Sequence, residues 1–210
     1  MKITSTEEIR KFYDESADSY NIMMEEEINL PMYAEILVGL AKGIINLDGT
    51  ILDSSCGSGH MLEQLKDRYA PGRQFYGVDL SPRMVAISRK RLGDAAIITE
   101  GDMGELYHVE DDSCAAVLNF FALHHVDLER MFTCFAEWYR VLKADGQLFV
   151  ATWEGEGCID YGGQADVVAM KYRPGQVSKA ARIAGFRIDR IYVDAVQGME
   201  MDAVYLAATK

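Results

Sequence analysis

The pattern of apolar and polar positions changes character near residue 42. From Ile3 to about Leu40 it predicts two or three helices, in a stretch rich in Glu, Met and Tyr. Pro31 interrupts this stretch. Proline favours the first turn of a helix, so Pro31 is expected to open the last of them. After Lys42, strand and helix patterns alternate. Thr50-Ile51-Leu52-Asp53 predicts a short strand, His60 to Tyr69 a helix, and Gln74 to Asp79 a second strand. Ser81-Pro82 supplies an N-cap and a first-turn proline for a helix running to Leu92. Further strands are predicted at Ala96 to Glu100, Ala115 to Asn119 and, after an Asp145-Gly146 turn, Gln147 to Thr152. Helices are predicted at Leu128 to Leu142 and Gln176 to Ala184, the latter followed by Gly185. Ile188 to Val196 and Ala203 to Ala208 complete the set as strands.

This β-α alternation argues for a mostly parallel sheet with helices on both faces. In such sheets ligands bind beyond the carboxyl ends of the strands. A length of 210 residues fits one domain, with residues 1–42 as a helical lid and 43–210 as the α/β core. There are no internal repeats or low-complexity linkers. A 49% hydrophobic and 26% charged composition is globular. No apolar run approaches the roughly 20 residues that span a bilayer, and the charged N-terminus has no signal-peptide core, so no membrane role is expected. Cys56, Cys114, Cys134 and Cys158 lie far apart without a C-x-x-C pair, which suits a reduced, cytoplasmic chain. The net charge of −12 disfavours nucleic acid as a partner. Arg83, Arg89, Lys90 and Arg91 cluster, but on a predicted helix they are expected to be its solvated face.

Candidate chemistry begins at the first strand end. Asp53 is followed by Gly57-Ser58-Gly59 before a helix, and glycines let backbone N–H groups approach a ligand. Any tight strand-to-helix turn can use such glycines. Asp79 ends the second strand, where a carboxylate can accept both ribose hydroxyls of an adenosine. Asp102 follows the third, placed to accept an adenine amino group while Met103 packs on the ring. Leu62 stands where a dinucleotide fingerprint needs its third glycine. Asp53 would also repel a pyrophosphate. The pocket instead suits a phosphate-free adenosine ligand carrying an ammonium and a sulfonium.

At these residues the sequence resembles the class I S-adenosylmethionine-dependent methyltransferases. Asp53 to Gly59 matches their first motif, Tyr76-Gly77-Val78-Asp79-Leu80-Ser81 the second, and Gly101-Asp102-Met103 the adenine-binding turn. Asn119 to Val126 resembles the loop after strand four, Tyr139 to Gly146 the helix-to-turn before strand five, and Ala184-Gly185-Phe186 a late signature. The likeness covers roughly residues 45 to 210, and Tyr13-Asp14 and Tyr20-Asn21 extend it. Its nearest flavour is the small-molecule, ubiquinone-biosynthesis type. Ser54-Ser55 and Ala144-Asp145 depart from the family pattern.

The resemblance implies a Rossmann-like three-layer α/β/α sandwich. Its seven-stranded sheet would be mostly parallel, with the last strand antiparallel and an N-terminal helical lid. It implies S-adenosylmethionine as cofactor, held by Asp53, Ser55, Cys56, Gly57, Ser58 and Gly59. Asp79, Leu80 and Met84 would join from the second motif, and Asp102 and Met103 from the third. Asn119, Phe120 and Tyr20 would border the methionine end. The acceptor would be a small molecule and the product S-adenosylhomocysteine. A non-catalytic cofactor-binding protein of the same fold is the alternative, and a macromolecule methyltransferase a more distant one. An NAD-type oxidoreductase is disfavoured by Leu62 and Asp53.

Proximity supplies much of the acceleration in such a transfer. A base is needed only where the nucleophile must lose a proton. His125, with His124 beside it, is the candidate by resemblance to phosphobase methyltransferases; packing of the loop is the other reading. No spacing supports a metal site with Cys114 or Cys134. Asp14, Glu15 and Asp18 are expected on a solvated face. Tyr13, Trp153, Tyr161 and Gln164 are candidate substrate contacts, and the loop after Trp153, with Asp160 and Asp166, suits a small polar molecule. Asn119-Phe120-Phe121-Ala122 stands where DNA amino-methyltransferases carry an Asn/Asp-Pro-Pro-aromatic motif, so that chemistry is not indicated. Nothing in the sequence decides between monomer and homodimer.

Overall fold

The computed structural model describes residues 4–160 and 167–210. Two helices come first, α1 (Thr6–Glu27) and α2 (Pro31–Gly43), and Pro31 opens the second as expected. Ser5 caps α1 through a reciprocal pair: the Glu8 N–H donates to Ser5 Oγ (3.2 Å), and the Ser5 N–H donates to the Glu8 carboxylate (2.8 Å). Strands β1 (Thr50–Asp53), β2 (Phe75–Asp79), β3 (Ala96–Glu100), β4 (Cys114–Phe120) and β5 (Leu142–Trp153) follow. Helices α3 (His60–Gln64), α4 (Pro82–Leu92) and α5 (Leu128–Val141) are set between them. The chain ends with β6 (Cys158–Asp160), β7 (Val168–Met170), α6 (Pro174–Ala184), β8 (Arg187–Ala195) and β9 (Asp202–Thr209).

Seven strands form one sheet in the order β3-β2-β1-β4-β5-β9-β8. β9 runs antiparallel to both its neighbours, β5 and β8, and the other six strands run parallel to one another. Chain order reverses between β1 and β4, which opens a crevice at their carboxyl ends. Successive residues point to opposite faces. Leu52 and Val117 therefore join the core under α5 and α6 with Phe135 and Trp138, while Ile51 and Leu118 join the core under α2 and α3 with Leu37 and Leu40. Each fully buried leucine contributes about 1.5–3 kcal/mol. No helix among the described residues is long and apolar enough to cross a membrane.

Four details differ from the sequence-based expectation. The helix begun at His60 becomes a π-helical turn over Leu65–Tyr69. Cys158–Asp160, expected within a loop, pairs antiparallel with Val168–Met170, and Ala169 and Ile159 pack with Trp153 in a small third core. The expected contacts Tyr161 and Gln164 lie outside the described residues, as does Asp166. In the basic cluster on α4, Arg83, Arg89 and Lys90 are exposed as expected, but Arg91 is not. Arg91 is only 13% exposed and donates to Ser58 O, Glu63, Asn21 and Glu25, while Arg89 donates to Ile98 O. Glu15 and Asp18 are exposed as expected, whereas Asp14 is half-buried. The Ser81 hydroxyl (2.5 Å) and the Arg83 N–H (3.2 Å) donate to Asp14, and Arg83 pairs with Asp18 (2.6 Å). These bonds pin α1 across the N-terminus of α4.

Candidate functional site

β1 ends in Asp53, and the chain turns at once into Gly57 and Gly59, whose φ values of +49° and +86° favour glycine. At Gly59 a Cβ would lie 2.5 Å from Ser88 Oγ, so the turn is closed to side chains there. Asp53 is 3% exposed and takes the Ser55 N–H on Oδ1 (3.1 Å). Burial, reinforced by the neighbouring Asp79, pushes its carboxyl up to about 7 although the Ser55 N–H opposes the shift. Asp79 ends β2 and receives the Gly57 N–H on Oδ2 (2.8 Å) and the Ser81 N–H on Oδ1 (2.9 Å). Burial pushes it up to about 6 against those two bonds. Neither carboxyl makes an ion pair among the described residues. A buried and a half-buried acid beside open backbone form a site that favours positive charge and hydroxyl donors.

A cleft runs across these strand ends beneath the first turns of α1. Tyr20, Ser55, Gly57, Asp79, Leu80, Met84, Asp102, Met103 and Phe120 line it, as do Tyr13 and His125. Asp53, Cys56 and Ser58 line a smaller adjoining chamber that shares Tyr20, Ser55 and Phe120 with the cleft. Gly59 and Asn119 line neither. Asn119 is fully buried beneath the turn and donates to Ser54 Oγ (3.0 Å), Ser55 Oγ (3.1 Å) and Met103 Sδ (3.2 Å). It therefore supports the floor and does not border the cleft, a correction to its expected place. Asp102 reaches the cleft with both oxygens engaged, one by the Arg130 guanidinium (2.6 Å) and one by the Gly104 N–H (2.8 Å).

The loop after β4 brings the histidines to the same edge. Tyr13 Oη and His125 Nε2 share a hydrogen bond at 2.7 Å, joining α1 to this loop. Burial pushes the His125 imidazole down to about 4, and that of His124, which also feels His125, well below its ordinary value. Both rings are therefore neutral near pH 7. His124 does not line the cleft. With Trp153 it faces a third chamber on the other side of Phe121.

Phe121 escaped the sequence reading as a site residue. It lines all three chambers, as Tyr20 does, and holds a φ of +50°. A bulky residue in that region is an outlier of the kind that clusters at functional sites. Its ring rests 4.7 Å from that of Trp153. Arg130 was missed as well. Its place in the cleft follows from α5 starting directly after the loop, which no local motif announces.

Residues 52–150 match the family described as a methyltransferase domain. An uncharacterized methyltransferase of Bacillus cytotoxicus is 27% identical over 150 residues, covering 69% of this chain and 66% of the relative. The matched stretch thus spans about two thirds of that relative's length. Among solved structures, 1,6-didemethyltoxoflavin-N1-methyltransferase of Burkholderia thailandensis, with 1,6-didemethyltoxoflavin and S-adenosylhomocysteine bound, superposes with a TM-score of 0.78. Its identity is 17%, over 100% of this chain and 92% of that one. Magnesium protoporphyrin IX methyltransferase of Synechocystis, with S-adenosylmethionine bound, gives 0.76 at 16% identity over 100% and 98%. Residues 52–150, just under half of the chain, thus match a methyltransferase-domain family, and the whole chain has the fold seen in these S-adenosylmethionine-dependent methyltransferases.

Proposed function

We propose that the chain transfers a methyl group from S-adenosylmethionine to a small-molecule acceptor. The observation that carries this reading is the pair of carboxyls flanking the glycine turn, Asp53 buried and Asp79 half-buried, neither with an ion-pair partner among the described residues. The donor set fits the cofactor: Asp53 for the ammonium, and Asp79 for the ribose hydroxyls, since each of its oxygens keeps a lone pair beyond its backbone bond. Leu80, Met84 and Met103 offer apolar surface to the adenosine, and Asp102, positioned by Arg130, offers its remaining acceptor capacity to the adenine edge. Tyr20 and Phe120 enclose the methionine end. S-adenosylmethionine, when bound, supplies a methyl group already activated by its sulfonium.

The remaining work belongs to the protein. α1 closes the cleft as a lid, tied down by Tyr13 to His125 and by Asp14 to Ser81, and so excludes water and holds the reactants together. His125, neutral near pH 7, accepts the proton that an acceptor sheds, at Nε2 once Tyr13 yields that bond. Four cysteines free of disulfides fit a reducing compartment such as the cytoplasm. The support for a small acceptor is the enclosure of the cleft by α1 and the small acceptors of the two superposed enzymes.

Calorimetric titration with S-adenosylhomocysteine tests this. Binding is expected, and Asp79→Ala is expected to weaken it about 10- to 100-fold, the range for losing charge-assisted hydrogen bonds. No binding at millimolar ligand would sink the proposal. In a product-release assay His125→Ala is expected to lower turnover and leave that affinity in place; unchanged turnover would make His125 a packing residue.

A further inference from the structure

The third chamber, of about 420 Å³, lies between α1 and the tip of the β8–β9 hairpin, and shares Tyr13, Tyr20 and Phe121 with the cofactor cleft. That size falls within the range of small-molecule sites. Methionines approach from two sides, Met23 and Met24 from α1 and Met199 and Met201 from the hairpin tip. Their flexible thioethers adapt to flat or irregular apolar shapes. Tyr33, Phe121 and Trp153 add ring faces. No Lys or Arg lines the chamber among the described residues. Glu27 is its one acid among the described residues, and burial raises that carboxyl, so the chamber offers an anion no countercharge.

Tyr13, Ser16, Ser19, Tyr20 and Tyr33 add hydroxyls to the wall, and two further polar side chains stand together at one end. His124 is 2% exposed, and neither ring nitrogen has a hydrogen-bond partner among the described residues. The indole N–H of Trp153, a residue 7% exposed, has none among them either. The two rings lie 6.0 Å apart. Burying such groups unpartnered is costly, and a ligand group that reaches either of them relieves that cost. We infer that the methyl acceptor is a neutral, largely apolar ring compound that seats in this chamber and turns one hydrogen-bonding group toward His124 and Trp153. This rests on the methyl-transfer reading of the adjoining cleft. It replaces the polar acceptor that the sequence suggested from the loop after Trp153.

Three probes of similar size separate the terms: 2-naphthol, its anionic counterpart 2-naphthoate, and 2-methylnaphthalene, which lacks the hydroxyl. Each is titrated into the full chain saturated with S-adenosylhomocysteine. 2-Naphthol is expected to bind about tenfold tighter than 2-naphthoate, because the carboxylate finds no cation. It is expected to bind about fivefold tighter than 2-methylnaphthalene, because the hydroxyl meets the polar pair. Trp153→Phe keeps the ring and deletes the donor. It is expected to erase most of that second difference without moving S-adenosylhomocysteine affinity, which also reports that the variant folds. Equal or tighter binding of 2-naphthoate, equal binding of the two neutral probes, or no naphthol binding at millimolar concentration would overturn the inference while the cofactor reading stands. Failure to bind S-adenosylhomocysteine would overturn both.

Discussion

Asp53 and Asp79 hold their carboxyls at about 7 and about 6, both raised from an ordinary 3.8. The free chain therefore carries protons on them through part of the neutral range. An ammonium beside Asp53 favours its carboxylate and draws that pKa down, so ligand uptake releases a proton. S-adenosylhomocysteine affinity is expected to rise between pH 5 and 8, most steeply toward about 7. Calorimetry in buffers of different ionisation enthalpy should show the proton leaving; a pH-independent affinity would place the ammonium elsewhere. The sequence made these acids legible because each ends a strand beside a turn residue, and strand ends are where this architecture keeps its ligands. Phe121 was not legible. Its left-handed backbone and its seat between chambers come from the meeting of the β4 loop, α1 and Trp153, none of which a local string encodes. Asn119 misled for a related reason: the same strand-end logic that sets Asp53 at the start of the turn puts Asn119 beneath it.

α1 is an element with a weak reason to be where it is. Only Ile9, Ala17 and Met24 are buried along its 22 residues. Polar ties therefore carry much of its docking: Asp14 to Ser81 and Arg83, Asp18 to Arg83, and Asn21 and Glu25 to Arg91. Arg91 is the hub, since it also holds Ser58 O in the glycine turn and Glu63 on α3. Arg91→Ala is expected to cost about 1–2 kcal/mol, the partners being partly exposed. Hydrogen exchange should then quicken across residues 6–27 while the sheet keeps its protection, and S-adenosylhomocysteine should bind more weakly. Uniform quickening would mean that α1 is not a separable lid. At this scale the strands and helices were legible, because hydrophobic period and cap residues are local signals. The docking of charged α1 and α4 faces was not, since an arginine on a helix looks the same whether it meets water or a neighbouring helix.

At the scale of the molecule, 33 acidic against 21 basic residues surround a cleft with acids at its floor. S-adenosylmethionine is a net cation and S-adenosylhomocysteine is not. The field should hasten arrival of the first more than the second. Stopped-flow association of S-adenosylmethionine is expected to slow roughly three- to tenfold between 20 and 500 mM salt, with S-adenosylhomocysteine changing much less. Equal salt dependence would deny the steering. Strand order belongs to this scale too. Both late strands were readable, yet nothing local said that the later one would lie inside the earlier one.

That placement has a consequence for how the chain is made. β9 fills the space between β5 and β8 and is synthesised after both of them. A ribosome delivers residues in order, so β5 waits with an open edge, and β8 without its sheet partner, until residues 202–209 emerge. An open edge of this kind accepts any matching strand, including β9 from a second nascent copy. Polysomes that crowd such chains together would favour exchanged strands, and slower delivery of residues 196–209 would lengthen the interval in which exchange competes with insertion.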